Sequence, residues 1–199
     1  MTQHKPDVRK ANPCPPCSTD AKTFEKIIYW LGIGLGSGLP RRAAGTWGTV
    51  GGLAVGIIVF VTLGLYAILA FIAVGLLVGN YICGKTSDLM HVHDDPHIVF
   101  DEWVGMWITL LPMFYLSHLD PLKTFPLTDF SFWANALIAF SLFRAFDIIK
   151  PFPISWADKH VSGGFGIMLD DILAGIMAMI SHAGLIALMA IAICSNQVC

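Results

Sequence analysis

The chain has 199 residues, 55% of them hydrophobic and only 13% charged, with a mean hydropathy of +0.68. Soluble domains carry about 25% charged residues, so this balance points to an integral membrane protein. A net charge of -2 offers no basic field for nucleic acid, and the five cysteines show no framework spacing that would make a disulfide scaffold.

Residues 1–22 read as a flexible, polar, Pro-containing tail without the apolar stretch or cleavage site of a signal peptide. Cys14 and Cys17 form a C-P-P-C pair that lacks the second half of a four-ligand zinc site. Residues 23–199 then read as one membrane-embedded domain. In 23–31, Phe24, Ile27, Ile28 and Leu31 recur at helical spacing, which fits a helix lying on a membrane surface. The Gly-rich stretch 32–49, with Pro40, Arg41 and Arg42, reads as a structured loop.

Residues 43–84 contain no charge. At about 1.5 Å per residue this run makes roughly 63 Å of helix, enough to cross an approximately 30 Å core twice with a turn near 62–66. A polar stretch, 85–97, precedes a third span from about 98, whose first turn holds Asp101 and Glu102. After a loop at 117–129, a fourth span covers 130–149 and stops at Pro151. A loop at 151–166 leads to a fifth span from about 167. The expected fold is therefore an all-α integral membrane protein of about five transmembrane helices. Trp47, Trp103, Tyr115 and Trp133 near span ends fit interfacial belts.

Five spans put the N-terminal region, the loop after span two and the loop after span four on one side. That side holds every Lys and Arg of the chain except Lys123, and the positive-inside rule makes it cytoplasmic. The cytoplasmic edge then collects Asp94, Asp95, Asp101, Glu102, Asp147, Asp158, Asp170 and Asp171, opposed by Arg41, Arg42, Arg144 and Lys150. Ionisable groups at the edge of hydrocarbon are costly and mark a functional site by default. Crowded carboxylates repel unless a hard cation neutralises them, and Mg2+ takes oxygen ligands together with substrate phosphates. Arg and Lys suit phosphate oxygens, while Thr46 and Thr49 add hydroxyl donors. The combination reads as metal-assisted phosphoryl chemistry at a membrane surface.

Plainer readings stand beside this one. Asp101–Glu102 and Asp170–Asp171 suit helix N-termini, Arg144 and Asp147 at i, i+3 suit a structural ion pair, and Lys150 suits a snorkelling side chain. His91, His93 and His97 fall in a polar loop without a closed ligand set, and His182 suits an interhelical hydrogen bond. A small cation transporter or channel with a carboxylate-lined cytoplasmic mouth is the alternative function.

Three blocks carry a resemblance. G-L-G-S-G-L-P-R-R-A-A-G-T-W-G-T, H-D-D-P-H-I-V-F-D-E-W-V-G, and F-R-A-F-D-I-I-K-P-F-P-I with G-G-F-G-I-M-L-D-D-I-L-A-G resemble the phosphatidylglycerophosphatase A family, in the family's order, over about residues 32–175. The resemblance implies Mg2+-dependent removal of the terminal phosphate from phosphatidylglycerophosphate, giving phosphatidylglycerol at the bacterial inner membrane. By position it implies functional residues at Asp94, Asp101, Glu102, Arg144, Asp147, Lys150, Asp170 and Asp171, with Asp158 a looser match. The Gly-Thr signature falls on Gly45, Thr46, Gly48 and Thr49. Expected roles follow: Asp101, Glu102, Asp170 and Asp171 hold Mg2+, while Arg144, Lys150, Thr46, Thr49 and Arg41 bind the substrate. Asp94 or Asp147 serves as a metal ligand or general base for a metal-activated water. The chain departs from the family pattern at Ala44, where proline is common, and in D-D-P-H, where D-H-G-S is typical.

Overall fold

The computed structural model describes residues 13–92, 95–119 and 130–197. The elements among the described residues are all helical: α1 (Thr23–Gly32), a 3-10 turn (Gly34–Gly36), α2 (Ala44–Leu63), α3 (Leu65–Met90), α4 (Phe100–Leu119), α5 (Phe130–Ile149), α6 (Ile154–His160) and α7 (Gly163–Gln197). Four of these helices, α2, α3, α5 and α7, are long and apolar enough to cross a membrane. The other long helix, α4, carries Asp101, Glu102 and Pro112, and it forms the centre of the bundle with nearly every residue of its first half buried.

The long uncharged run divides at Gly64, inside the stretch expected to turn. A φ of 83° there is open to glycine and strained for other residues, so α2 stops and α3 starts one residue later. Their directions follow from what they meet on α4. Gly52 accepts a hydrogen bond from the Trp107 indole at 2.8 Å, and Phe60 stacks on Phe114 at 4.4 Å, so α2 runs parallel to α4. On α3, Tyr66 meets His118 and Phe71 meets Trp107, while Gly75 faces Val104, so α3 runs antiparallel.

Small residues let α4 and α7 approach to backbone contact. A Cβ on Gly175 would lie 2.6 Å from the Gly105 carbonyl oxygen. Thr109 shares its hydroxyl between the carbonyls of Gly105 and Gly175, and the buried His182 reaches the Thr109 carbonyl at 3.4 Å, the interhelical bond expected of it. Gly175→Ala is expected to destabilise the bundle by about 1–3 kcal/mol through overpacking. Thermal melting in detergent reads the effect, and an unchanged midpoint would show that the two helices separate without cost.

The outer faces are apolar: Leu77 is 81% exposed and Tyr66 77%, the reverse of a water-soluble bundle. With α7 parallel to α4, and α5 bringing Arg144 beside Glu102, the charged ends of the long helices gather at one end of the bundle.

Three sequence expectations are corrected. The stretch 32–49 is not one loop, because Ala44–Leu63 is helix and the Gly-Thr signature sits in its first turns. The stretch 151–166 contains α6, with Ile154 and Ala157 fully buried, and α7 starts at Gly163 rather than near 167. The N-terminal region, expected to be flexible through Lys22, is held from Pro13 onward. Ser18 N–H donates to the Leu89 carbonyl at 3.1 Å, and the Tyr29 hydroxyl donates to the Pro15 carbonyl at 2.8 Å.

Candidate active site

The site grows from the last two turns of α5. Arg144 projects from that helix and its Nη1 donates to Asp147 Oδ2 at 2.5 Å, to Glu102 Oε1 at 3.3 Å and to Thr49 Oγ1 at 3.3 Å. Its Nη2 reaches Thr46 Oγ1 at 3.4 Å. One guanidinium therefore ties α5 to the first turns of α2 and α4. Arg suits this role because its planar fork presents several donors in fixed directions. The Arg144–Asp147 pair expected from i, i+3 spacing is present, and it is one part of a larger junction.

Gly45 and Gly48 make room for that junction. A Cβ at either position would overlap the Glu102 carboxylate, which lies against the bare face of α2. The glycines thus admit a carboxylate to the helix surface, rather than exposing backbone N–H groups to an anion as glycine-rich loops do. Thr49 is fully buried, and its hydroxyl donates to the Gly45 carbonyl at 2.9 Å while accepting from Arg144.

The second cation, Lys150, follows α5 directly. Its Nζ donates to Asp158 Oδ1 of α6 at 2.8 Å and to Asp170 Oδ2 of α7 at 2.5 Å. Its backbone has φ of 46°, a left-handed conformation that costs a non-glycine residue roughly 1–3 kcal/mol and is concentrated at functional sites. Burial by itself would lower the ammonium's pKa. The carboxylates of Asp170 and Asp158 outweigh burial and hold it above the ordinary lysine range. Lys150 does not snorkel to water; it clamps α6 to α7.

Between the two cations lie the remaining acidic groups. Asp101 is 6% exposed, with Oδ1 accepting the Glu102 N–H at 2.9 Å, and Asp171 is 5% exposed. Asp171 feels the charges of Asp147, Asp101, Asp170 and Glu102 together. Six carboxylates (Asp101, Glu102, Asp147, Asp158, Asp170 and Asp171) thus gather around Arg144 and Lys150, an excess of negative charge in a largely buried place. Glu102 Oε2 is buried without a hydrogen-bond partner among the described residues. An all-oxygen donor set with surplus negative charge and an orphaned carboxylate oxygen suits a hard divalent cation. As placed, no three His, Cys, Asp or Glu side chains among the described residues converge tightly enough to hold one.

The structure therefore brings together Thr46, Thr49, Asp101, Glu102, Arg144, Asp147, Lys150, Asp170 and Asp171. It does not bring in Arg41, which is exposed ahead of α2 and bonds to none of the described residues. Asp94 lies outside the described residues, as does His93.

One pair at the entrance to α4 escapes sequence reasoning. Asp95 Oδ1 accepts both the His97 backbone N–H at 3.0 Å and His97 Nδ1 at 2.6 Å, and His97 is 2% exposed. This Asx-type turn, with Val99 N–H bound to the Gly32 carbonyl at 2.9 Å, sets the direction in which α4 delivers Asp101 and Glu102. The signal is present as Asp-Pro-His, a turn sequence in the very block that departs from the family pattern.

A family model described as "PgpA: Phosphatidylglycerophosphatase A" matches residues 30–186. A Haemophilus influenzae protein named phosphatidylglycerophosphatase A is 44% identical over 153 residues, covering 77% of this chain and 85% of that protein. An Escherichia coli K12 protein of the same name is 37% identical over 151 residues, covering 75% and 78% respectively. No solved structure matches the chain. The family match spans α2 to α6 and the greater part of α7, the stretch that holds the junction built by Arg144 and Lys150; the chain belongs to the phosphatidylglycerophosphatase A family.

Proposed function

We propose that this protein hydrolyses the terminal phosphate of phosphatidylglycerophosphate to give phosphatidylglycerol, as a step of phospholipid synthesis. The observation that carries this reading is the Arg144 junction. A guanidinium shared among two carboxylates and two hydroxyls, at one end of an apolar bundle, suits a lipid phosphate arriving from the membrane plane. In this reading α4 joins the four apolar helices as a fifth crossing, and the positive-inside rule supports a junction at the cytoplasmic edge of a bacterial inner membrane. The exposed Phe24, Ile27 and Trp30 of α1 suit a helix lying on that surface.

Arg144 and Lys150 are the phosphate-binding groups, and Thr46 and Thr49 steer Arg144 through their hydroxyls. Asp101, Glu102, Asp170 and Asp171 would hold Mg2+, which when bound supplies Lewis-acid polarisation and an acidified water. The Asp147 carboxylate, or that of Asp94, accepts the proton released as water attacks phosphorus. The P–O bond to glycerol breaks, and the alkoxide leaves as the alcohol after taking up a proton. A covalent phosphoenzyme is not invoked, since the sequence has no C-x5-R thiol site or D-x-D-x-[TV] motif.

The cation-pathway alternative calls for polar groups along the interior. Among the described residues the buried charged side chains gather at one end of the bundle, and further along its interior the buried polar side chains are Thr109 and His182, which favours the enzyme. Purified full-length protein in detergent should release inorganic phosphate from phosphatidylglycerophosphate, lose this activity in EDTA and recover it with added Mg2+. Absence of phosphate release under all three conditions would overturn the reading.

A further inference from the structure

Arg41 and Arg42 stand apart from the active site. Both are exposed in the connector between the 3-10 turn and α2, and neither bonds to any of the described residues. Arg144 and Lys150, by contrast, are held by carboxylates. The surface around this connector is apolar. Leu35 is 62% exposed, and Trp30, Leu39 and Trp47 are exposed with it.

We propose that Arg41 and Arg42, with the apolar ridge of Leu35, Leu39 and Trp47, form a docking surface for the headgroups of anionic phospholipids other than the substrate. The inference rests on the membrane orientation given in the phosphatase reading above, and adds a lipid contact that takes no part in the chemistry.

The ridge is continuous and firmly held. A Cβ on Gly36 would lie 3.4 Å from Leu39 and 3.7 Å from Trp30, so α1 and the turn share one surface. A Cβ on Gly51 would overlap the Ser37 side chain, so the same turn rests on α2. Gly38 N–H donates to the Ile33 carbonyl at 3.0 Å, and the Trp103 indole donates to the Ser37 hydroxyl at 3.3 Å. Within this turn Leu35 has φ of 50°, a left-handed conformation that is costly for a non-glycine residue and clusters at functional sites. The leucine is held out of the core at that cost. Hydrocarbon at the edge of a bilayer supplies the contact that the bundle does not.

Charge names the occupant. The start of α2 is the positive end of a helix dipole and has no acidic residue in its first turn. Glu102, which packs there against Gly45 and Gly48, faces Arg144. Two arginines directly ahead of that end add like charge, which an anion relieves. On α1, exposed Lys22 and Lys26 outnumber Asp20, since Glu25 is held by Lys85 at 2.8 Å. Guanidinium groups pair well with phosphate oxygens, and leucine and tryptophan beside them enter the boundary between headgroups and acyl chains. Because α2 is one of the helices able to cross a membrane, its start lies at headgroup level. The anion that fits is therefore a neighbouring lipid, which brings hydrocarbon with its charge, and free phosphate does not.

The test is thermal melting of full-length protein in micelles of an uncharged detergent carrying phosphatidylserine or phosphatidylcholine at equal mole fraction. Phosphatidylserine is anionic but is neither the proposed substrate nor its product. Wild type should melt about 3–6 °C higher with phosphatidylserine, by mass action on the folded state. That gain should shrink in roughly 0.5 M salt as the exposed charges are screened. The double variant Arg41→Gln, Arg42→Gln should lose at least half of the gain and melt within about 2 °C of wild type in phosphatidylcholine. Leu35→Gly should also lose part of it, while melting no lower than wild type in phosphatidylcholine, because glycine accepts the left-handed backbone. Lys159→Gln removes an exposed cation of α6 and should keep the gain in full. Equal melting of wild type with the two lipids would overturn the inference. A gain kept in full by the double arginine variant or by Leu35→Gly, or lost equally in Lys159→Gln, would overturn it too. The melting experiment involves no turnover, so its failure leaves the phosphatase reading intact, and absence of phosphate release in the assay above leaves the lipid effect measurable.

Discussion

Arg144→Lys is expected to lower phosphate release from phosphatidylglycerophosphate by roughly 10²–10³-fold, the usual effect of removing one aimed donor from a charge-stabilising site. The size follows from geometry. The guanidinium reaches Asp147, Glu102, Thr49 and Thr46 from two nitrogens, and it has a further buried Nε without a partner among the described residues. An ammonium keeps the charge but presents it from one point, so at this position it does not reproduce the two-nitrogen fork that reaches Asp147, Glu102, Thr49 and Thr46 together. Lysine is also the informative replacement for stability. Arg144→Ala would leave Glu102 and Asp147 as buried, uncompensated charges, at about 3–5 kcal/mol for a broken buried pair, and would confuse lost chemistry with unfolding. The lysine variant should melt near the wild-type temperature and show its deficit in kcat. Activity within about three-fold of wild type would show that phosphate is oriented elsewhere.

That junction also marks how far the sequence could be read. Asp147 stands at i+3 from Arg144 and is visible by helical spacing alone. Glu102, Thr49 and Thr46 lie 42, 95 and 98 residues away, and no local pattern links them. What the sequence did carry was the cost of each charge beside hydrocarbon, and that cost was enough to mark the residues that the structure brings together without pairing them. Gly45 and Gly48 show the same limit. Glycine announces a close approach, but the sequence does not say that the approaching group is a carboxylate.

The long helices were legible because apolar length is a strong signal, and α5 occupies the expected 130–149. Gly64 was legible as a turn because α2 and α3 together exceed one membrane thickness. The short α6 was hidden by Pro151 and Pro153, which read as breakers. Here the second proline sits at the N-cap, where a missing N–H does no harm. Arg41 drew a phosphate-binding expectation because positive charge near a glycine-rich stretch suits an anion, and it lies exposed ahead of α2 with no bond to the described residues. Helix α4 was legible as a long apolar helix by its composition. Its place at the centre was not, since burial by other helices and burial by lipid leave similar sequences.

Asp171→Asn is expected to separate function from stability in opposite directions. The carboxylate is 5% exposed and lies within the fields of Asp147, Asp101, Asp170 and Glu102, so its charge raises the energy of the folded bundle when no cation is present. An asparagine of nearly the same shape removes that repulsion. In EDTA the variant should therefore be more stable than wild type by about 0.5–2 kcal/mol, the usual gain from relieving a strained functional site. At roughly 2–4 °C per kcal/mol for a chain of this length, that raises the melting temperature by a few degrees. Added Mg2+ should stabilise wild type, because a cation that binds the folded state shifts unfolding by mass action, and should do much less for the variant. Turnover of phosphatidylglycerophosphate should fall by roughly 10³-fold or more, beyond the loss of a single hydrogen bond, because the variant removes an anionic oxygen from the proposed metal set. Melting with and without Mg2+, alongside phosphate release, reads all of these effects on one preparation. A variant that keeps full Mg2+-dependent turnover would remove Asp171 from the metal set. One that melts lower in EDTA would show that the charge at Asp171 is already compensated within the protein, so that the surplus of negative charge around Arg144 and Lys150 is not what draws the cation in.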